Sequence, residues 1–187
     1  MRWPDARQTI ATPKDRAALL NHAPAWLRWH LLLASDLALR FREAASATLS
    51  GYDTASGILT VTAKGGYLQR LPVTEEIRRV IQSLPPDADP STPIIHLIYG
   101  RSISPNTIRD AWLRLKRRLG INPDLRIHDL RRTTATLAYN ATKDIRVVQQ
   151  ILGHRTLRST THYLVDRHPQ DLRPLLEQLK VPTEVKQ

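Results

Sequence analysis

The chain has 187 residues, and its 28 lysine and arginine residues outnumber 17 acidic ones, giving a formal net charge of +11. A chain of this length can form one domain with a substantial core, and its charge favours a polyanionic partner, with nucleic acid as the first candidate. Because the sequence contains no cysteine, disulfide scaffolds and cysteine-ligated zinc sites are excluded.

The most apolar part of the chain, residues 23–39, is interrupted by Arg28, His30 and Asp36. This interruption predicts a core helix rather than a membrane span. No apolar stretch of the kind found in secretion signals follows a positively charged start. We therefore expect a cytoplasmic protein without a membrane partner.

Two helices are predicted in the first quarter of the chain, after a loose lead-in over residues 1–12. Thr12 is a typical N-cap and Pro13 suits the first helical position, so the first helix begins there. A second helix is predicted over about residues 25–47, with a break near Ser35 and Asp36.

A β-hairpin follows. Apolar and polar residues alternate over 58–63, Gly65 and Gly66 supply a turn, and the chain returns over 68–73. A further helix is predicted over residues 74–83.

The remainder is predicted to be helical after a loop over residues 85–93, which holds four of the chain's 13 prolines. Ser104 begins a helix that ends near Gly120, and two more helices cover residues 128–139 and 144–152. The predicted fold class is mainly α with a small antiparallel β-sheet (α+β), in one domain.

The residues that suggest chemistry lie near the C-terminal end. His128 and Arg131 are three apart at the start of a helix and so share a face, His154 directly follows Gly153, and Tyr163 comes nine residues later. Arginine offers a planar fork for two phosphoryl oxygens, histidine transfers protons near neutrality, and tyrosine is a nucleophile when deprotonated. In isolation, an exposed basic helix end and a solvated loop histidine explain the same residues.

The order and spacing of this set resemble the tyrosine recombinase family, which includes the phage integrases and Xer-type recombinases. The resemblance implies the tyrosine recombinase catalytic-domain fold, and cleavage and rejoining of double-stranded DNA through a 3′-phosphotyrosyl link without metal, cofactor or ATP. It implies that Tyr163 is the nucleophile, that Arg131 clamps the phosphate, that His154 donates to a non-bridging oxygen and that His128 assists proton transfer.

The earlier half of the family signature resembles Gly-Leu-Arg-x-x-Glu, and residues 38–43 occupy its place with Ala38 instead of glycine. The resemblance makes Arg40 the first clamp arginine and Glu43 a structural partner that holds the helix. Arg42 is the alternative clamp residue if the stretch is read two residues out of register.

Lys64 lies at the hairpin turn, before Gly65 and Gly66. Lysines are common at turns, but in the family a lysine at this place protonates the departing 5′ oxygen. The resemblance implies that role for Lys64.

Candidate DNA contacts lie on the helix that begins at Ser104, because family members place a helix from this region in the major groove. We expect base-edge contacts from Asn106 and Arg109, and phosphate contacts from a basic cluster. A solvated helix face is an equal alternative for any member of that cluster, which comprises Arg114, Lys116, Arg117 and Arg118.

The expected domain organisation is a catalytic domain over residues 13–168 and a tail helix over 169–187. The tail helix packs either on its own core or on a neighbouring subunit, and we expect a dimer or tetramer on DNA. Most family members carry a separate DNA-clamping domain before the catalytic one, so we expect either a catalytic-domain fragment or a minimal recombinase.

Two other functions remain open from the sequence. A type IB topoisomerase would use similar chemistry to relax DNA, and a catalytically idle relative would only bind it. For any of the three, the expected location is the prokaryotic nucleoid in the cytoplasm.

Overall fold

The computed structural model describes residues 9–154 together with Thr156 and Thr160. The described chain is mainly helical with one small antiparallel sheet, which agrees with the predicted fold class. Its helices are α1 (Pro13–His22), α2 (Ala25–Asp36), α3 (Phe41–Ser46), α4 (Glu75–Gln82), α5 (Ile94–Tyr99), α6 (Pro105–Arg118), α7 (Ile127–Thr142) and α8 (Ile145–Leu152). Its strands are β1 (Tyr52–Asp53), β2 (Ile58–Thr62) and β3 (Leu68–Pro72), and a 3-10 turn covers Leu49–Gly51.

Helix α2 is the centre of the core. It is apolar around most of its circumference, as expected for a helix enclosed by others, and Leu27, Trp29, Leu31, Leu32 and Leu33 are all fully buried. It packs against α1, α3, α4, α5, α6 and α7. Within the described part of the chain, no helix combines the length and apolarity needed to cross a bilayer.

The three strands form a sheet in the order β1-β2-β3, with the predicted hairpin as β2 and β3. Leu59 pairs with Leu71 and Val61 pairs with Gln69, and these four side chains form its buried face. The hairpin predicted from the alternation and the glycine turn is therefore present. Strand β1 was not predicted because two residues are too few to show a period.

The single helix predicted over residues 25–47 is wrong in its length, although the break was placed correctly. Helix α2 ends at Asp36, and α3 begins at Phe41 with Arg40 as its N-cap. Between them Ala38 has a φ of +52° and is fully buried against Ala135 and Val148. A left-handed residue ends a helix, so the chain turns here and presents Arg40 at the start of a new one.

Helix ends follow the local signals in the sequence. The Thr12 hydroxyl accepts from the Asp15 N–H at 3.0 Å, and the Asp144 carboxylate accepts from the Arg146 N–H at 2.7 Å. Gly120 and Gly153 both take left-handed backbone angles just past helix ends. Helix α5 was not predicted, since six residues directly after a proline-rich loop give no readable period.

The predicted lead-in, the candidate nucleophile Tyr163 and the predicted tail helix lie wholly or partly beyond the described residues. Only residues 9–12 of the lead-in are described, and Tyr163 and residues 169–187 lie outside the described residues. The predicted domain limits stay predictions.

Candidate active site

Five of the six predicted catalytic residues come together from four separate segments. Arg40, Lys64 and His128 line a common cavity of about 550 Å³ with Glu43. Arg131 lies behind Glu43, and His154 contacts Arg131; the sixth residue, Tyr163, lies outside the described residues. The fold thus concentrates positive charge around one hollow.

Arg40 is held by Glu43 in two ways. Its guanidinium Nη1 donates to Glu43 Oε1 at 2.8 Å, and its backbone N–H donates to Oε2 at 2.7 Å. Partial burial by itself lowers the pKa of Arg40, but the Glu43 carboxylate and the Tyr67 hydroxyl more than offset this and raise the pKa above its usual value. Arg42 also lines the cavity but is exposed, so Arg40 is the better held of the two arginines.

Arg131 is fully enclosed and joins three segments of the chain. Its Nη1 donates to the carbonyl of Ala38 and its Nη2 donates to the carbonyl of Leu152 at 2.6 Å. The same Nη1 lies 3.9 Å from Glu43 Oε2. A buried charge requires such compensation, and Glu43 therefore supports both arginines.

His154 is a neutral side chain in this arrangement. Its Nε2 lies 3.2 Å from Arg131 Nη2, and its Nδ1 lies 3.1 Å from the Thr160 hydroxyl. Because arginine only donates, Nε2 must accept and Nδ1 must carry the proton. Burial first, and then the charges of Arg131 and Arg40, lower the pKa of His154 to about 4. Donation from Nε2 to a phosphate oxygen requires this contact with Arg131 to open. It also requires Nε2 to gain a proton, by a change of tautomer or by protonation of the ring.

His128 occupies the first turn of α7 and is exposed on the cavity wall. Partial removal from water, followed by the charge of Arg131, lowers the pKa of His128 below its ordinary value. The lowered pKa favours the neutral ring, which suits a group that accepts a proton.

Two residues at this site were missed by the sequence analysis. Tyr67 donates its hydroxyl hydrogen to the carbonyl of Gly153, and Gln69 Nε2 donates to the carbonyl of Ile151 at 2.8 Å. A tyrosine after a turn carries no signal of its own. Gln69 does carry a signal, because it is a polar residue on the same face of β3 as the apolar Leu71.

Helix α6 presents most of the predicted DNA contacts to solvent. Asn106, Arg109, Arg114 and Arg117 are all exposed. Arg109 donates to Asn106 Oδ1 at 3.1 Å, and its guanidinium carbon lies 5.2 Å from the ring centroid of Phe41. Since Phe41 directly follows Arg40, the base-reading candidates adjoin the cavity.

The surroundings of Lys116 do not fit its predicted phosphate contact. Its side chain is buried, and Nζ donates to the carbonyls of Pro123 and Leu125, both at 2.6 Å. It also lies 5.7 Å from the ring centroid of Trp112. Lys116 therefore ties the α6–α7 connection to the core.

No group of three or more histidine, aspartate or glutamate side chains within the described ranges could hold a metal ion. The cavity instead gathers cationic and neutral donors, a set that suits an anionic substrate.

The model of the phage integrase family matches residues 5–169. The chain belongs to the phage integrase family.

The relatives agree with this membership. Tyrosine recombinase XerC of Alcanivorax borkumensis is 32% identical over 132 residues, which cover 67% of this chain and 43% of that protein. The chain thus spans less than half the length of that curated relative.

Solved structures of phage integrase relatives show the same fold. The crystal structure of XerA recombinase has a TM-score of 0.71 at 21% identity and covers 95% of this chain and 67% of that chain. The Tn1549 transposon integrase, in complex with circular intermediate DNA, has a TM-score of 0.73 at 18% identity and covers 93% of this chain and 68% of that chain. The predicted tyrosine recombinase catalytic-domain fold is therefore confirmed.

Proposed function

We propose that this protein is a site-specific DNA recombinase that cleaves and rejoins double-stranded DNA through a 3′-phosphotyrosyl intermediate. The observation that carries the proposal is the convergence of Arg40, Lys64 and His128 on one cavity, with Arg131 and His154 behind it. Residues separated by up to 114 positions in the chain (154 − 40) come together there. Residues that act on one phosphate must lie close together in this way.

Charge stabilisation is the task of the two arginines. Attack on a phosphodiester adds negative charge to the pentavalent phosphate, and donors aimed at that charge lower the barrier. Arg40 faces the cavity, while Arg131 is held behind it by backbone carbonyls, with Glu43 between the two guanidinium groups. Losing one such donor typically slows cleavage by roughly 10²–10³-fold.

Proton transfer follows from the positions of His128 and Lys64. The Tyr163 oxygen forms a bond to phosphorus, its proton passes to neutral His128, and the bond from phosphorus to the 5′ oxygen breaks. Lys64 gives its proton to that departing oxygen, which leaves as a hydroxyl. Attack by a 5′ hydroxyl of a partner strand reverses these steps and releases Tyr163. The bond energy stays in the covalent link, so no ATP is required.

DNA binding is assigned to helix α6. Asn106 and Arg109 are proposed to contact base edges, with Phe41 and the mutual hydrogen bond holding the Arg109 guanidinium in place. Arg114 and Arg117 are proposed to contact phosphates.

Self-association on DNA is part of the same proposal. Each chain supplies one nucleophile of this kind, so exchanging strands between two duplexes requires several copies acting together. The curated relative is bacterial, and we include the cytoplasmic nucleoid as the place of action.

Trapping the covalent intermediate tests the proposal. The protein and Tyr163→Phe are each incubated with supercoiled plasmid in chelator and then quenched with detergent. We expect protein-linked DNA with the wild type alone, while DNA binding is equal in both. Adducts that persist in the variant would contradict the assignment of Tyr163. Relaxed plasmid without joined products would favour a topoisomerase, and binding without any adduct would favour an idle relative.

A further inference from the structure

The turn that carries Lys64 has little to hold it in place by itself. Gly65 and Gly66 have φ values of +95° and +80°, and no atom lies within 4 Å of the place where either would carry a Cβ. Two backbone hydrogen bonds close the turn, from Gly66 N to Ala63 O at 3.0 Å and from Ala63 N to Tyr67 O at 2.9 Å. A general acid needs a defined position, so the restraint on Lys64 must come from neighbouring side chains.

Those side chains are Tyr67 and Gln69. Tyr67 lies just before β3 and Gln69 lies within it, and their side chains both reach the end of α8. Tyr67 reaches the carbonyl of Gly153, and Gln69 reaches the carbonyl of Ile151. The Tyr67 hydroxyl also lies beside the Arg40 guanidinium. Partial burial lowers the pKa of Arg40, whereas Glu43 and, to a smaller extent, Tyr67 raise it.

Their target is the C-terminal end of α8, where backbone carbonyls lack helical partners. The three consecutive carbonyls of residues 151–153 accept hydrogen bonds from Gln69, Arg131 and Tyr67 respectively. The next residue is His154, which contacts Arg131. One end of a helix thus binds both the lysine hairpin and the arginine of the site.

We propose that Tyr67 is a positioning residue that fixes the Lys64 turn against the α8 end and thereby aligns the general acid with Arg131 and His154. The inference rests on the proposed recombinase function, because it assigns Lys64 a proton to deliver. Loss of the Tyr67 hydroxyl leaves the turn attached through Gln69 alone. The consequence is a misplaced Lys64 with the arginines still in position.

The test compares two leaving groups in Tyr67→Phe, which keeps the ring and removes the hydroxyl. Tyr52→Phe, on strand β1 of the same sheet, is the matched control. With ordinary DNA we expect Tyr67→Phe to slow cleavage by roughly 10- to 100-fold, the scale of a misplaced general acid. With sulfur replacing the departing 5′ oxygen the rate should return to within about threefold of wild type, because a thiolate leaves without a proton. Tyr52→Phe should match wild type on both substrates.

Equal slowing on both substrates would overturn the proposal, since it would place Tyr67 in charge stabilisation through Arg40. Unchanged cleavage of ordinary DNA would overturn it as well.

Hydrogen exchange provides a readout that does not depend on cleavage. We expect the amides of Ala63, Gly66 and His154 to exchange faster in Tyr67→Phe, while those of Leu59 and Val61 keep their protection. Unchanged protection at the turn would contradict the positioning role, whether or not the protein cleaves DNA. A wild type that forms no adduct would instead count against the recombinase function, so the two failures are distinguishable.

Discussion

At the scale of single residues, the buried histidine of α2 makes the stability of the fold depend on pH. His30, on α2, is fully buried, and neither ring nitrogen has a hydrogen-bond partner among the described residues. Its ring packs edge-on against Phe41 at 4.8 Å between centroids. Burial lowers the pKa of His30 to about 4. The residue is thus a neutral core group beside the start of α3, which carries Arg40.

Acid should therefore destabilise the fold through His30. The unfolded chain takes up a proton near pH 6.5 and the folded chain only near pH 4, so the stability contributed by the neutral ring is present above pH 6.5 and lost as the pH falls to 4. The loss should be about 3 kcal/mol for this residue. The measurement is the free energy of unfolding in urea between pH 7 and pH 4 for wild type and His30→Leu. A variant with the same pH dependence as wild type would show that His30 is not responsible.

At the scale of secondary-structure elements, the end of α8 binds side chains of the site, and the surface of α6 carries the candidate DNA contacts. Gly153 has a φ of +55° at the α8 end, and a Cβ there would lie 2.5 Å from Gln69 Cδ. Gly120, past the end of α6, has a φ of +62° and open space around it. The two glycines share a backbone conformation and differ in their surroundings.

Substituting each glycine by alanine separates these effects. Gly120→Ala should cost about 1 kcal/mol from backbone strain alone. Gly153→Ala should cost about 1–3 kcal/mol more, because Gln69 must move, and it should reduce cleavage by shifting His154. Denaturant unfolding and adduct formation measure the two quantities. Equal losses of stability in the two variants would mean that the close approach of Gln69 is unimportant.

Two neighbouring cations of α6 should behave oppositely. Lys116→Met leaves the carbonyls of Pro123 and Leu125 without a donor, so it should lower the free energy of unfolding by about 1–3 kcal/mol. It should not alter the salt dependence of DNA binding. Arg117→Ala should leave stability within about 0.5 kcal/mol and reduce the slope of log affinity against log salt by about 1. Salt titrations of DNA affinity measure this slope. Equal slopes for Arg117→Ala and wild type would show that Arg117 does not contact a phosphate.

At the scale of the whole molecule, one helix unites the core with the site. Helix α2 packs against α1, α3, α4, α5, α6 and α7, and the turn after it supplies the Ala38 carbonyl to Arg131. The cavity therefore forms only when segments from both halves of the chain pack on α2. The net charge of +11 favours the approach of polyanions.

Core packing at α2 should be cooperative. Leu32→Ala removes a fully buried side chain and should cost about 2–5 kcal/mol. Tryptophan fluorescence and far-UV circular dichroism should report a single coincident transition in urea for both wild type and variant. Separate transitions for the two probes would indicate two independent folding units.

Patterns confined to neighbouring residues determined much of this protein from the sequence alone. The caps at Thr12 and Asp144, the left-handed glycines at 120 and 153 and the alternation of the hairpin are set by contacts within a few residues. Such local preferences act before any tertiary contact forms, so they can be read without it. The spacing of the signature residues likewise indicated the family and its fold.

Only the tertiary structure decided the features that depend on distant partners. Lys116 looks like any other basic residue on α6 until Pro123 and Leu125 turn their carbonyls towards it. Tyr67 gains a role only because Gly153, 86 positions away, accepts its hydrogen bond. Hydrogen bonding and burial between residues far apart in sequence leave no periodic trace, since the chain must first fold around α2 to bring those partners together.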